Sequence, residues 1–260
     1  MSSPPKGTNY DLPGYAARFD VSRRLTPDAL STWSTLLAAA ARGPVTTILD
    51  LGAGTGRFWP ALRHAFPEAQ IVAIDIAATA LNHAHVTLDR VSRIVADVSK
   101  VPLNSLKSDF VFCSMLLHLL DEPAQVLARL RISLRPQGRV FIRQGTRQTV
   151  DSFLFLRFFP TALKIERERM LASETLLTLI RDSGLSIVQE TQVLTPPASN
   201  IDDYLTRVTE RGFPSLQLVS DDEFGHGITQ LQRYFDTCST AFMSQMGEAC
   251  TVFICEFPSG

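Results

Sequence analysis

The feature that most constrains this chain is a short aliphatic run, TTILDL, which ends in an acid and passes at once into three closely spaced glycines: Asp50-Leu51-Gly52-Ala53-Gly54-Thr55-Gly56. A short run of aliphatic and β-branched residues with little polar alternation reads as a strand buried on both faces. Glycines at its end let the backbone turn tightly and approach a ligand with no Cβ in the way. A helix expected to start near Thr55 would offer free N–H groups to an electronegative partner. A buried strand feeding such a loop is the opening unit of an open α/β sheet.

The same rhythm continues downstream. QIVAID reads as a second strand, 77–91 as a helix, SRIVAD as a third strand, and SDFVFCS, after a loop holding Pro102, as a fourth. A helix over 123–134 stops where Arg135-Pro136-Gln137-Gly138 signals a turn, and GRVFIRQ resumes as a fifth strand. Five strands separated by helices or long connections predict an α/β fold with a doubly wound, mostly parallel sheet. Upstream, Thr26-Pro27 followed by DALSTWSTLLAAAAR and Gly43-Pro44 has a cap, a proline at the first helical position and a glycine stop, which predicts a helix.

Beyond residue 145 the rhythm breaks. SFLFLRFFPTALKIERERM is aromatic-rich and interrupted by Pro160, so it reads as an inserted cap. A helix over 174–182 ends at Gly184, LSIVQETQVL follows as a strand, and CTVFICEF closes the chain as another. The expected organisation is an N-terminal arm and helix over 1–45, a ligand-binding core over 46–145, a cap insertion over 146–172, a core helix and strand over 173–195, a helical cap insertion over 196–250, and a final strand over 251–260.

Composition narrows the partner. Lys plus Arg number 25 against 26 Asp plus Glu, with no run of like charge, so the electrostatic footprint of a nucleic-acid binder is missing and a small molecule is expected. Cys113, Cys238, Cys250 and Cys255 show no C-x-x-C spacing and read as reduced, mostly buried thiols rather than a zinc site or disulfide framework. His83 and His85 sit two apart on an expected helix and point to different faces, so no metal site is expected from them. The first residues are polar with no hydrophobic h-region, and the longest apolar run, 110–120, is too short to span a bilayer. A cytoplasmic location without membrane contact follows as the expectation.

Spacing bears on which nucleotide the loop holds. A dinucleotide fingerprint reads G-x-G-x-x-G/A, its third small residue letting the helix press on the strand near a pyrophosphate. Here the order is G-x-G-x-G, and the next residue, Arg57, is large. With Asp50 in front, the loop resembles motif I of the class I, Rossmann-like S-adenosylmethionine (SAM)-dependent methyltransferases. Three further stretches keep that resemblance in order across residues 46–145. Asp75 ends the second strand where the family's acid accepts from both ribose hydroxyls, and Asp97, in Ala96-Asp97-Val98, ends the third where an acid accepts from the adenine amino group and the Val98 amide completes the contact. Ser114-Met115-Leu116-Leu117-His118-Leu119 is similar to the segment under the methionine part of the cofactor. Leu134-Arg135-Pro136-Gln137-Gly138-Arg139 is similar to the family's L-K-P-G-G turn, with Gln137 replacing a glycine. The opening around Tyr10, Tyr15 and Arg18 resembles the arm that folds over the cofactor in small-molecule members.

The resemblance implies a seven-stranded sheet with its last strand antiparallel and helical insertions forming a lid. It also implies transfer of a methyl group from SAM to O, N or C of a small-molecule metabolite or natural-product intermediate, releasing S-adenosylhomocysteine (SAH). Implied cofactor contacts come from Tyr15 and Arg18 of the arm, from Asp50, Gly52, Ala53, Gly54, Thr55 and Gly56 of the loop, and from Asp75, Ile76, Ala96, Asp97, Val98, Ser114 and Met115 at later strand ends. Tyr10, His118, Arg143, Phe155 and Phe159 are the candidates on the acceptor side. His118 reads as a general base, as a group orienting the acceptor, or as a histidine packed against the cofactor. Arg143 reads as a partner for an acceptor carboxylate or as half of an ordinary ion pair. Phe155 and Phe159 read equally as core, and Asp75 and Asp97 have a second reading as polar strand ends or helix caps. Two rival functions share the fold: an NAD(P)-binding oxidoreductase, which the glycine spacing disfavours, and a non-catalytic SAM-binding protein.

Overall fold

The computed structural model describes residues 12–83, 89–238 and 246–258. One sheet contains β1 (Thr47–Leu51), β2 (Gln70–Asp75), β3 (Val91–Val95), β4 (Ser108–Ser114), β5 (Leu134–Gln144), β6 (Ser186–Thr195) and β7 (Glu248–Glu256). Their spatial order is β3-β2-β1-β4-β5-β7-β6, and only β7 runs antiparallel to its neighbours. This is the doubly wound, mostly parallel α/β sheet that the strand rhythm predicts. Because the order reverses between β1 and β4, the connections leaving their carboxyl ends diverge and open a crevice there.

The described helices are α1 (Tyr15–Arg23), α2 (Pro27–Ala40), α3 (Trp59–Ala65), α4 (Ala78–His83), α5 (Pro123–Ser133), α6 (Pro160–Arg169), α7 (Ser173–Asp182), α8 (Ile201–Thr209) and α9 (Asp221–Asp236). α2 starts as its sequence dictates: Thr26 Oγ1 accepts the Ala29 N–H at 3.1 Å, and Pro27 occupies the first turn, where no N–H is needed. α7 stops before Gly184, whose φ of 81° is left-handed.

Strand alternation sorts the core into two layers. Ile48, Phe110, Phe112 and Phe141 face Trp33 and Leu37 of α2 and Trp59 and Leu62 of α3. Leu49, Val111, Val140 and Ile142 face Leu127 and Leu130 of α5 and Leu176 and Ile180 of α7. A third apolar cluster, built from Phe155, Phe159, Tyr204, Leu216, Leu231 and Phe235, holds the cap together. The cap docks on α1 by three bonds. The Tyr15 hydroxyl donates to the Gly212 carbonyl at 3.1 Å, and Ser22 Oγ donates to the Arg207 carbonyl at 2.7 Å while accepting the Gly212 N–H at 3.1 Å. All four cysteines are free thiols, with Cys238 half-buried and the others buried.

Several boundaries differ from the sequence expectation, among them the final strand, expected from 251 and found over Glu248–Glu256. α3 begins at Trp59 and not near Thr55, because Gly54 and Gly56 take φ values of 55° and 72°, which a right-handed helix does not admit. The helix expected over 77–91 is described over Ala78–His83; residues 84–88, with His85, lie outside the described residues, and Arg90 is already in a turn with φ 63°. β5 begins at Leu134, ahead of GRVFIRQ, through a register shift opposite Ser108 and Phe110. Within it Gln137 takes φ 67°, a conformation that a glycine adopts without strain.

Candidate active site

A cavity of about 570 Å³ opens at the carboxyl ends of β1, β2 and β4, between α1, the core and the cap. Its size falls in the range of small-molecule pockets, roughly 300–1,000 Å³. The glycine loop forms its floor. Gly52 and Ala53 donate their N–H groups to the Ile74 carbonyl at 2.8 and 3.2 Å, tying the loop to β2. The three glycines serve different ends. A Cβ on Gly52 would meet Leu116 at 2.9 Å and one on Gly56 would meet the Trp59 ring at 2.6 Å, whereas one on Gly54 would meet nothing within 4 Å. Gly52 and Gly56 therefore permit internal packing, and Gly54 alone keeps open space clear.

Two acids brace this loop. Asp75, at the tip of β2, accepts the Gly54 N–H at 2.7 Å and the Ala77 N–H at 2.8 Å. Asp50 is buried at the end of β1 and accepts the Trp59 indole N–H at 2.9 Å. Burial pushes its carboxyl up to about 7, opposed by the indole bond and reinforced by the charge of Asp75. Asp97, past the end of β3, accepts from both the Ser99 hydroxyl (2.7 Å) and the Ser99 N–H (2.9 Å), which hold it below its ordinary range. It caps a turn while still lining the cavity.

Where β4 ends, Met115 takes φ 55°, a strained conformation for a residue with a side chain, and its sulfur accepts the Gly145 N–H at 3.0 Å. His118 follows on a short turn, with Nδ1 2.8 Å from Gln144 Nε2. Burial, with the nearby Arg169 guanidinium adding, pushes its pKa down to about 3.

Tyr15, Asp50, Gly52, Ala53, Gly54, Thr55, Asp75, Ile76, Asp97, Val98, Ser114, Met115 and His118 all line this one cavity. Six other candidates do not reach its wall. Arg18 is exposed on the outer side of α1, whose inner face runs through Tyr15, Phe19 and Arg23. Gly56 sits under Trp59. Ala96 donates its N–H to the Asp75 carbonyl at 2.9 Å and turns its methyl into the core. Arg143 shares a strand face with Phe141, so it lies over the rings of Trp33 and Phe58, 4.9 and 5.1 Å from their centroids, and reaches the site only through the Ser114 hydroxyl at 3.2 Å. Phe155 and Phe159 are buried inside the cap, where Phe155 packs on Phe213 (4.3 Å between centroids) and Phe159 stacks on Phe224 (5.7 Å). Tyr10 lies outside the described residues.

Other wall residues were not anticipated. Arg23 pairs with Glu248 at 3.2 Å and lies over the rings of Phe153 and Phe213. Its spacing of eight from Tyr15 and four from Phe19 on one helix was a readable signal. Thr146, Glu166, Arg169 and Met170 form the cap-side wall, and no local pattern announces them.

Seven strands in this order, a glycine loop after β1 and a carboxylate at the tip of β2 define the class I, Rossmann-like methyltransferase scaffold. Residues 49–142 match the methyltransferase domain family. Over 117 residues the chain is 32% identical to a malonyl-[acyl-carrier protein] O-methyltransferase of Hahella chejuensis, covering 44% of this chain and 42% of that protein. It spans about half the length, or less, of the curated relatives it matches. Among solved structures, a putative methyltransferase from an antibiotic biosynthesis pathway of Anabaena variabilis superposes with a TM-score of 0.70 at 14% identity, covering 88% of this chain and 98% of that one. A SAM-dependent methyltransferase of Geobacter sulfurreducens in complex with SAH superposes with a TM-score of 0.57 at 20% identity, covering 96% of this chain and all of the other. These two likenesses concern the fold. Among the described residues no helix is long and apolar enough to cross a membrane.

Proposed function

We propose that this protein is a SAM-dependent methyltransferase acting on a small-molecule acceptor. The observation that carries the reading is the position of Asp75, locked at the cavity wall against the open side of Gly54, with Asp97 at the next strand end. Two carboxylates spaced along one crevice suit the sugar and base of an adenosyl group. Arg23, which lines the cavity from the inner face of α1, would meet the amino-acid carboxylate in exchange for part of its pairing with Glu248. When bound, SAM supplies an electrophilic methyl group on a sulfonium with a neutral thioether as leaving group.

The oxidoreductase reading fits less well. A dinucleotide pyrophosphate needs free N–H groups at a helix start. Here the Gly56 and Trp59 N–H groups are bonded to the Ala53 and Gly56 carbonyls, and Pro60 has none. For the acceptor atom, the O-methyltransferase name of the Hahella relative favours oxygen. His118 serves as an orienting group: an imidazole with its pKa pushed down to about 3 is neutral near pH 7 and takes up protons poorly.

Calorimetry tests the assignment. SAH should bind with roughly micromolar affinity, about −8 kcal/mol, and NAD and NADP should give no heat. No heat with SAH, or saturable binding of either dinucleotide, overturns it.

A further inference from the structure

Gln144, the last residue of β5, is 0% exposed and stands beside the cavity without lining it. Its backbone is tied to the end of β4 on both sides: the Met115 N–H donates to the Arg143 carbonyl at 2.8 Å, and the Gly145 N–H to Met115 Sδ at 3.0 Å. From that fixed place Nε2 lies 2.8 Å from His118 Nδ1, 3.2 Å from the Gly145 carbonyl and 4.0 Å from Met170 Sδ, while Oε1 is buried with no hydrogen-bond partner. A buried polar atom left unsatisfied costs roughly 1–3 kcal/mol. An apolar side chain of similar size would carry no such cost, so the work of the amide lies at Nε2.

The neighbours fix which way the amide faces. Turned over, Oε1 would meet the Gly145 carbonyl with no proton between the two oxygens, and the NH2 group would take the place where nothing accepts. Nε2 therefore donates to the Gly145 carbonyl and to His118 Nδ1, and an imidazole nitrogen that accepts carries no proton of its own. The ring proton sits on Nε2. His118 lines the cavity, and among the described residues nothing in the protein bonds its Nε2. Burial and the Arg169 guanidinium both oppose a second proton, holding the ring at about 3. Two carboxylates stand on the same wall. Glu166 has both oxygens engaged by Arg169 Nη2, at 2.6 and 2.7 Å, and Asp121, close to His118 in the chain, is the rival to Gln144 for setting the tautomer.

We propose that Gln144 is a positioning residue that locks His118 as a neutral imidazole protonated on Nε2, so that the nitrogen left to the cavity donates a hydrogen bond to the acceptor and cannot take its proton. This rests on the methyltransferase reading above. Neither ring nitrogen is then available as a base, because Nε2 already carries a proton and Gln144 covers Nδ1. The lock also gives the site a preference. A fixed N–H recognises a lone pair on the acceptor, and a molecule that lacks one leaves a buried donor unpaired. Gln144 acts through the histidine and touches neither the cavity nor what fills it.

Nuclear magnetic resonance reads the tautomer directly. Protein labelled with nitrogen-15 histidine is studied free and saturated with SAH, and His118→Gln identifies the His118 signals among those of the five histidines. Long-range proton–nitrogen spectra of the parent should show a protonated Nε2 and an unprotonated Nδ1, unchanged from about pH 8 down to about pH 5. Gln144→Leu removes the donor, so a form protonated on Nδ1 should appear beside the first. Gln144→Glu sets a carboxylate against Nδ1, so the proton should move there and the ring should hold a second proton at least about tenfold more tightly. Asp121→Asn should keep the parent's tautomer. If the parent carries its proton on Nδ1 or is doubly protonated near neutral pH, if Gln144→Leu keeps the parent's spectrum, or if Asp121→Asn changes it, the inference is overturned. The parent's spectrum decides even where a variant fails to fold. A protein that shows the expected tautomer but binds no SAH keeps the lock on His118 and loses the function proposed above.

Discussion

Asp50 is 2% exposed beneath the glycine loop, and burial holds its carboxyl at about 7, far above the ordinary range. A native state that keeps a proton more tightly than the unfolded chain is stabilised at low pH, and that advantage is lost as the pH rises through the native value. At ~1.4 kcal/mol per unit the loss is roughly 4 kcal/mol between about pH 4 and 7. Asp50→Asn keeps an acceptor for the Trp59 indole and removes the titration. Denaturant midpoints followed from about pH 5 to 8 should therefore fall in the parent protein relative to the variant, and parallel curves would contradict the assignment. At Asp75 the expectation concerns binding. Asp75→Asn should weaken SAH by about 1.5–3 kcal/mol, read by calorimetry, because charge-assisted bonds to the sugar are lost. An unchanged affinity would leave Asp75 a brace for Gly54 and nothing more.

The turn between β1 and α3 separates two kinds of glycine. Gly56→Ala drives a Cβ into the Trp59 ring in a left-handed conformation, so stability should drop by about 2–4 kcal/mol in urea titrations, from overpacking and backbone strain together. Gly54→Ala meets open space. It should lower stability by only about 1–2 kcal/mol, the backbone term alone, yet weaken SAH more than about tenfold, because the new methyl occupies the ligand's side of the loop. If both variants behave alike, the division of labour is wrong. The spacing of the three glycines was legible in the sequence, but which one faces the ligand was not. That depends on Leu116 and Trp59 arriving from β4 and α3 to fill the space beside the other two. Strand parity is a similar case. Arg143 lies two residues after Phe141, so the two share a face, but only the docking of α2 and α3 turns that face into core.

For the molecule as a whole, α1 links the cap to the loop: Tyr15 bonds Gly212 across 197 residues of sequence, Arg23 pairs with Glu248 across 225, and Asp20 meets Thr55. A ligand in the cavity contacts all three parts, so SAH at about a hundred times its dissociation constant should add about 2.7 kcal/mol. For a chain of this size that raises the melting temperature by roughly 5–10 °C. Amide exchange in α1 should slow in the same experiment, and exchange unaffected by SAH would show that α1 takes no part in closure. The sequence by itself determined the strands and most helices, the glycine turn and the acids at the ends of β1 and β2 and just past β3, because backbone preference and hydrophobic period act over a few residues. Tertiary structure alone decided the cap-side wall. Thr146, Glu166 and Arg169 share one cavity with His118 only once the cap has folded over the strand ends, and contacts made by docking distant segments leave no local pattern to read.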